Sequence, residues 1–173
     1  MTTRNVRSLA TGEARSLAPT LAEILVDCIE GGASVSFMAP FSCADALAYW
    51  ATVADAVAGG ATGLIVAEID GRVEGTVQIA YDTPPNQPHR VDIRKLLVHR
   101  RARRLGLGRD LMLAAERQAA ERGRWLLCLD TASGAAERLY AGLGWQRVGA
   151  IPEYALWPHG GFCDTTMFYK RLP

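Results

Sequence analysis

Six residues constrain this chain more than any others. They are Arg103-Arg104-Leu105-Gly106-Leu107-Gly108, set between the apolar run Leu96-Leu97-Val98 and the helix-like segment from Arg109 to Glu116. A strand that runs into a glycine-punctuated turn and straight on into a helix aims unpaired backbone N–H groups at one point, together with the positive end of the helix dipole. That point suits an anion, above all a phosphate or pyrophosphate. Spacing excludes two familiar phosphate loops. A Walker loop needs Lys-Ser/Thr after its second glycine, where this chain has Arg109-Asp110. A Rossmann fingerprint needs Gly or Ala three residues further on, where Leu111 stands. On the hexapeptide alone, an ordinary strand–turn–helix junction whose glycines merely permit the turn stays open.

Charge sharpens the picture. Within residues 90–109, Arg90, Arg94, Lys95, Arg100, Arg101, Arg103, Arg104 and Arg109 face one acid, Asp92, yet the whole chain carries only +1. The remainder is therefore net acidic. A patch this local fits a polyphosphate ligand better than a nucleic acid, whose binders spread charge over a face. A solvated arginine-rich turn would explain the charge but not the glycines. At 173 residues and 49% apolar content, the chain reads as one soluble domain over residues 1–173. No apolar run is long enough to span a membrane, and Met1 to Arg7 lacks the apolar core of a signal peptide, so a cytoplasmic location is expected. Cys28, Cys43, Cys128 and Cys163 show no paired spacing and read as buried free thiols. His89, His99 and His159 share no ligand spacing either, so no metal is expected.

Periodicity supplies the element order. Thr3 to Leu9 reads as a strand, and Ser16 to Glu30 as a helix with Leu17, Leu21, Ile24, Leu25 and Cys28 on one face, stopped by Gly31-Gly32. Ser42 or Asp45 opens a second helix through Trp50 and Val57. Strands over 62–69 and 73–81 flank Asp70-Gly71-Arg72, a tight hairpin signal. A loop at 83–88 leads to a strand over Arg90 to Val98, then a helix over 106–122. Trp125 to Leu129 is an unalternating apolar strand, as expected when both faces are buried. Ser133 caps a helix through Tyr140, and two strands follow, Trp145 to Gly149 and Thr165 to Leu172. The expected architecture is an α/β mixed sheet of about seven strands with helices on both faces.

The pattern Arg-x-x-Gly-x-Gly after a strand, with this element order, resembles the GCN5-related N-acetyltransferases (GNAT superfamily) over most of the chain. Residues 31–38, Lys95-Leu96-Leu97-Val98, Leu129-Asp130-Thr131 and 149–154 are locally similar to the tabtoxin-resistance acetyltransferases, which acetylate the amine of an amino-acid toxin. The resemblance implies acetyl-CoA as co-substrate, a splayed central strand pair, and a primary amine on a small molecule, an amino-acid-like toxin or antibiotic, as acceptor. It implies that Arg103, Arg104, Leu105, Gly106, Leu107 and Gly108, with Arg109, bind the pyrophosphate. It further implies that Leu96, Leu97 and Val98 pair with the pantetheine arm, with the Leu96 N–H directed at the acetyl carbonyl. Tyr140 takes the place of the residue that returns a proton to the thiolate; its competing role is core packing.

Asp92 and Asp130 are acids at strand positions that should be apolar. Each is a candidate for binding or deprotonating the acceptor amine, with Asp92 the first choice as base. Asp92 could instead pair with Arg90 or Arg94, and Asp130 could cap the following turn. The segments Gly31 to Phe41 and Trp157 to Gly161 are placed to shape the acceptor pocket. Phe37 and Phe41 stand as lining candidates, whereas Tyr49 and Trp50 read as core. Arg104 and Arg100 depart from the family, which often places Gly and Pro there; the extra arginines could reach the 3′-phosphate of coenzyme A. A non-catalytic acyl-CoA sensor, an enzyme acting on a protein amine and a nucleic-acid binder are the competing functions, and a homodimer is open. Only the enzyme needs Tyr140 and the two acids. Nucleic acid and membrane are not expected partners.

Overall fold

The computed structural model describes residues 3–173. The tight turn forms as its sequence demands: Asp70 and Gly71 take left-handed backbone, φ 49° and 80°, which matches the twist of a two-residue hairpin. It joins β2 (Thr62–Ile69) to β3 (Arg72–Ala80), and β1 (Arg4–Ser8) lies antiparallel on the outer edge of β2. β4 (Arg90–Val98) runs antiparallel to β3, and β5 (Leu126–Thr131) parallel to β4. β6 (Gln146–Leu156) and β7 (Phe162–Arg171) complete a seven-stranded mixed sheet in the order β1-β2-β3-β4-β5-β7-β6.

Helices cover both faces. α1 (Glu13–Ser16), α2 (Ala18–Glu30) and α3 (Cys43–Ala58) lie on one side, α4 (Leu107–Glu121) and α5 (Gly134–Gly142) on the other. β2 shows why its sequence does not alternate. Leu64 and Val66 pack with Leu21, Ile24 and Trp50 under α2 and α3, while Ile65 and Ala67 pack with Leu111, Met112 and Ala115 of α4. Ser42 starts α3 with a full capping box: its hydroxyl accepts the Asp45 N–H, and the Asp45 carboxylate accepts the Ser42 N–H.

The largest departures from the sequence expectation lie in the first helix and the last three strands. The helix expected over 16–30 starts at Ala18, and a separate short helix, α1, ends at Ser16 just before it, because Pro19 has no N–H to bond the Arg15 carbonyl and begins a new first turn instead. β5 extends to Thr131, which puts Asp130 inside the strand rather than past its end. β6 runs to Leu156, far beyond the expected Gly149, and β7 begins at Phe162, three residues earlier than expected. β6 is an edge strand with an exposed face, Pro152 within it, Glu153 at φ 52° and two register shifts, so it carries no alternating signal.

A buried polar link ties the last strands to α4. Glu116 accepts from the Trp145 indole at 2.9 Å and from the Lys170 ammonium at 2.8 Å, and that ammonium also donates to the Leu143 carbonyl at 2.7 Å. Glu116→Ala strands an ammonium and an indole N–H, so urea unfolding should show a loss of about 3 kcal/mol; a loss under about 1 kcal/mol would show that water replaces the carboxylate.

Candidate active site

β4 and β5 are neighbours for only a short distance. They pair at Arg90↔Leu126, Val91↔Leu127 and Asp92↔Cys128, and no further. β4 then stays with β3, and β5 with β7, so the edges from Ile93 to Val98 and from Leu129 to Thr131 diverge and face a gap. β4 also bulges there. Gln78 opposes Arg94 and Thr76 opposes Leu97, which leaves one surplus residue, and Lys95 takes φ 51°. The bulge puts Arg94 and Lys95 on the same face. Val91 and Ile93 point to the α4 core, as do Leu96 and Val98 beyond the bulge, while Leu97 points to the α2–α3 core.

The glycine turn sits at the end of this gap. A 3₁₀ turn at Arg100–Ala102 leads into it, and Gly106, left-handed at φ 86°, starts α4. Asp110 donates the first helical bond, to the Gly106 carbonyl at 3.1 Å. Arg103 donates its N–H to the Arg100 carbonyl at 3.4 Å, but from Arg104 to Arg109 no backbone N–H has an acceptor among the described residues. This is a concave run of free donors at a helix N-terminus, suited to an anion. Arg104 sits at φ 63°, a left-handed conformation that favours glycine.

Most of the basic patch is already neutralised. Arg100 binds Asp27 through its N–H and its Nε, both at 2.8 Å, and together these hold the Asp27 carboxyl below the usual range although burial opposes the shift. Arg101 spans Glu74, at 2.9 Å to both oxygens, and Glu23, at 2.7 Å. Arg103 donates to the Val98 carbonyl at 3.3 Å. Arg104 and Arg109 are exposed and form no ion pair among the described residues. Of the arginines flanking the turn, these two remain for a phosphate, and Arg100, expected to be free for one, is held by α2.

Asp92, Asp130 and Lys95 share the α2–α3 face beside the gap. Asp92 is ion-paired to Arg90 through one oxygen and to Arg94, at 3.4 Å, through the other. Asp130 accepts the Thr165 hydroxyl at 2.7 Å and has no cation bonded to it. The turn after β5 is capped by Thr131, whose Oγ1 accepts the Ser133 N–H at 3.1 Å, not by Asp130.

Tyr140 approaches from the other face. Its ring packs 5.7 Å from Phe168 and 6.0 Å from Trp145, and its hydroxyl makes no hydrogen bond among the described residues. Burial, with the Asp130 charge second, pushes its phenol up to about 12.

The two loops expected to shape the pocket do meet. The Ala39 N–H bonds the Pro158 carbonyl at 2.9 Å, and the Ser34 hydroxyl donates to the Leu156 carbonyl at 3.4 Å. Phe37 stacks among Phe41, 4.6 Å away, and Tyr49, 5.1 Å away, while Trp50 is core. The Tyr49 hydroxyl accepts from buried Gln78 at 2.9 Å. Sequence placed Lys95 only in the basic stretch and in the run Lys95-Leu96-Leu97-Val98, and Thr165 only at the start of a strand, with no site role for either.

Residues 28–145 match the family model described as the acetyltransferase (GNAT) family. Solved structures of the same fold include an N-acetyltransferase from Staphylococcus aureus Mu50, with TM-score 0.82, 16% identity and 99% of each chain covered. YncA of Salmonella typhimurium, solved with its cofactor acetyl-CoA, aligns at TM-score 0.81 and 18% identity over 99% of this chain and 95% of that one. A phosphinothricin acetyltransferase from Sinorhizobium meliloti, in complex with acetyl-CoA, aligns at 0.78 and 20% over 98% and 89%.

Tyr140 has a measurable consequence. Its folded value, about 12, lies above the ordinary 10.0, so the stability it carries is complete below pH 10 and is lost as the pH rises toward 12. Parent and Tyr140→Phe should show the same pH dependence below pH 10, and between pH 10 and 12 the parent should lose about 2–3 kcal/mol more, read by urea unfolding. Parallel curves throughout would place the hydroxyl in water.

Proposed function

The chain belongs to the acetyltransferase (GNAT) family, and on that premise we propose that it moves the acetyl group of acetyl-CoA to the primary amine of a small molecule, an amino-acid-like toxin or antibiotic. The observation that carries this reading is the run of free N–H groups from Arg104 to Arg109 at the mouth of the β4–β5 gap. The gap exposes strand edge for an extended arm, and the turn offers donors for a pyrophosphate. When bound, acetyl-CoA supplies an activated thioester. The chain's part is then to hold it, at Leu96 to Val98 and at residues 103–109, and to manage two protons. Local likeness to the tabtoxin-resistance acetyltransferases supports the choice of acceptor. Action in the cytoplasm accords with the finding that no helix among the described residues is long and apolar enough to cross a membrane.

Of the two acids, the geometry favours Asp130 as the group that receives the acceptor's ammonium proton, directly or through water. Both Asp92 oxygens are bonded to arginine, whereas Asp130 keeps an oxygen free and lies at the open lip. Asp92 is then a positioning residue that holds Arg90 and Arg94. Tyr140 stays protonated at neutral pH and so can return a proton to the leaving thiolate.

Acetyl-CoA should raise the melting temperature, and Gly106→Val should remove most of that rise. The parent turn needs φ 86°, which a β-branched residue resists, and a side chain there closes the backbone to the phosphate. Equal stabilisation of both proteins would sink the loop assignment. Tyr140→Phe should cut kcat by about 10²–10⁴-fold with cofactor affinity unchanged. Asp130→Asn should lose activity at neutral pH and regain part of it at high pH, where the amine deprotonates unaided, while Asp92→Asn should leave the shape of the pH–rate profile alone. A pH profile altered only in Asp92→Asn would reverse the two roles.

A further inference from the structure

Lys95 is a cation without a counter-ion on the face where an acceptor must lie. Its Nζ donates to the Ser36 hydroxyl at 2.8 Å and stands 5.4 Å from the centre of the Phe37 ring, and it forms no ion pair among the described residues. The other cations from Arg90 to Arg103 each end on an acid or a backbone carbonyl. Burial, and then the neighbouring Arg94 charge, push the Lys95 ammonium below the ordinary lysine range, with Asp130 pulling the other way. A half-buried, unpaired ammonium is unfavourable, and the fold has no need of it, since an apolar side chain would fill the same space against Phe37. The backbone adds to this cost. Lys95 and Ser36, the two ends of the hydrogen bond, both hold left-handed conformations, φ 51° and 79°, unfavourable for residues with a side chain.

An unpaired charge and two strained residues in one contact, next to the strand divergence, indicate a partner supplied from outside. We propose that Lys95 is a specificity residue that binds a carboxylate of the acceptor, while Asp130 across the gap faces the acceptor's ammonium, so that the acceptor is a zwitterion. This rests on the transferase reading. Arg94, exposed beside Lys95 and bonded to Asp92 only at 3.4 Å, adds positive potential to the same wall. Amines that are purely cationic, such as polyamines, aminoglycosides or a lysine side chain in a basic peptide, would meet this wall as a like charge and be rejected. Strain and an unpaired charge are what a fold retains at a site that works, not at one that only packs.

The test compares matched probes. Amino acids with free α-carboxylates (glutamine, glutamate, methionine) and their carboxamides are offered with acetyl-CoA, and thiol release is followed. The carboxylate forms should have kcat/KM about 10- to 100-fold above their amides, the worth of one charge-assisted hydrogen-bonded contact. Lys95→Met should erase that preference by raising KM for the carboxylates with kcat little changed, Lys95→Arg should restore part of it, and Lys95→Met should melt no lower than the parent. Equal use of carboxylate and amide by the parent would overturn the proposal. So would a lower melting point in Lys95→Met with both substrates weakened alike, which would make Lys95 a strut for the 36–41 loop. A second readout needs no turnover: heat stabilisation of the coenzyme A-saturated protein by N-acetylglutamine against N-acetylglutaminamide. If no amine is acetylated, the transferase reading fails, and this comparison still decides Lys95. Preferential stabilisation by the carboxylate that is lost in Lys95→Met supports its role, and equal stabilisation overturns it.

Discussion

Two strands that stop pairing in the middle of a sheet leave backbone donors and acceptors inside the protein with no partner, and such groups are costly unless something else bonds them. β4 and β5 separate after Asp92 and Cys128, and both are held in that posture from outside the pair. β4 is fastened to β3 through its bulge, and β5 to β7 through Thr131. Neither can close the gap without breaking a ladder on its other side. The rest of the site is arranged around this stable discontinuity. The glycine turn stands at its mouth, Asp92 and Lys95 on the β4 lip, Asp130 on the β5 lip, and Tyr140 on the opposite face.

Electrostatics follow from the same geometry. A dense run of arginines next to a helix N-terminus would repel itself and attract any anion without discrimination. The chain limits this by sending acids to it from distant elements: Asp27 and Glu23 from α2, and Glu74 from β3. What survives is a narrow positive region at Arg104 and Arg109, aligned with the free N–H groups. The paired arginines then act chiefly as braces that fix the turn to α2 and β3.

The fold was legible wherever a local rule coincided with the tertiary one. Asp70-Gly71 dictated its turn, Ser42 and Ser133 their caps, and the unalternating run around Leu127 its two-sided burial. It was illegible where partners lie far apart in the chain. β6 is long because β7 templates it, not because its own residues favour a strand, so its exposed and kinked sequence concealed it. The glycine turn into α4 was legible from its spacing, but no local pattern could show that Thr165 bonds Asp130 or that Ser36 bonds Lys95, since these contacts join residues 35 and 59 positions apart in the chain. The same reasoning underlies our proposal of Asp130 rather than Asp92 as the base. Sequence proximity to Leu96 favoured Asp92, and only its bonds to Arg90 and Arg94 show that it is already occupied.

The single surplus residue at Lys95 also makes β4 two half-strands of opposite parity. Ahead of it, odd-numbered positions such as Val91 and Ile93 face α4; behind it, the even-numbered Leu96 and Val98 do. Removing Lys95 would restore strict alternation and leave every other side chain on its present face, with Leu96 and Val98 toward α4 and Leu97 toward the α2–α3 core. The core would thus accept a strand one residue shorter, and what the extra residue supplies is a second basic side chain, Lys95, on the face that Arg94 already occupies.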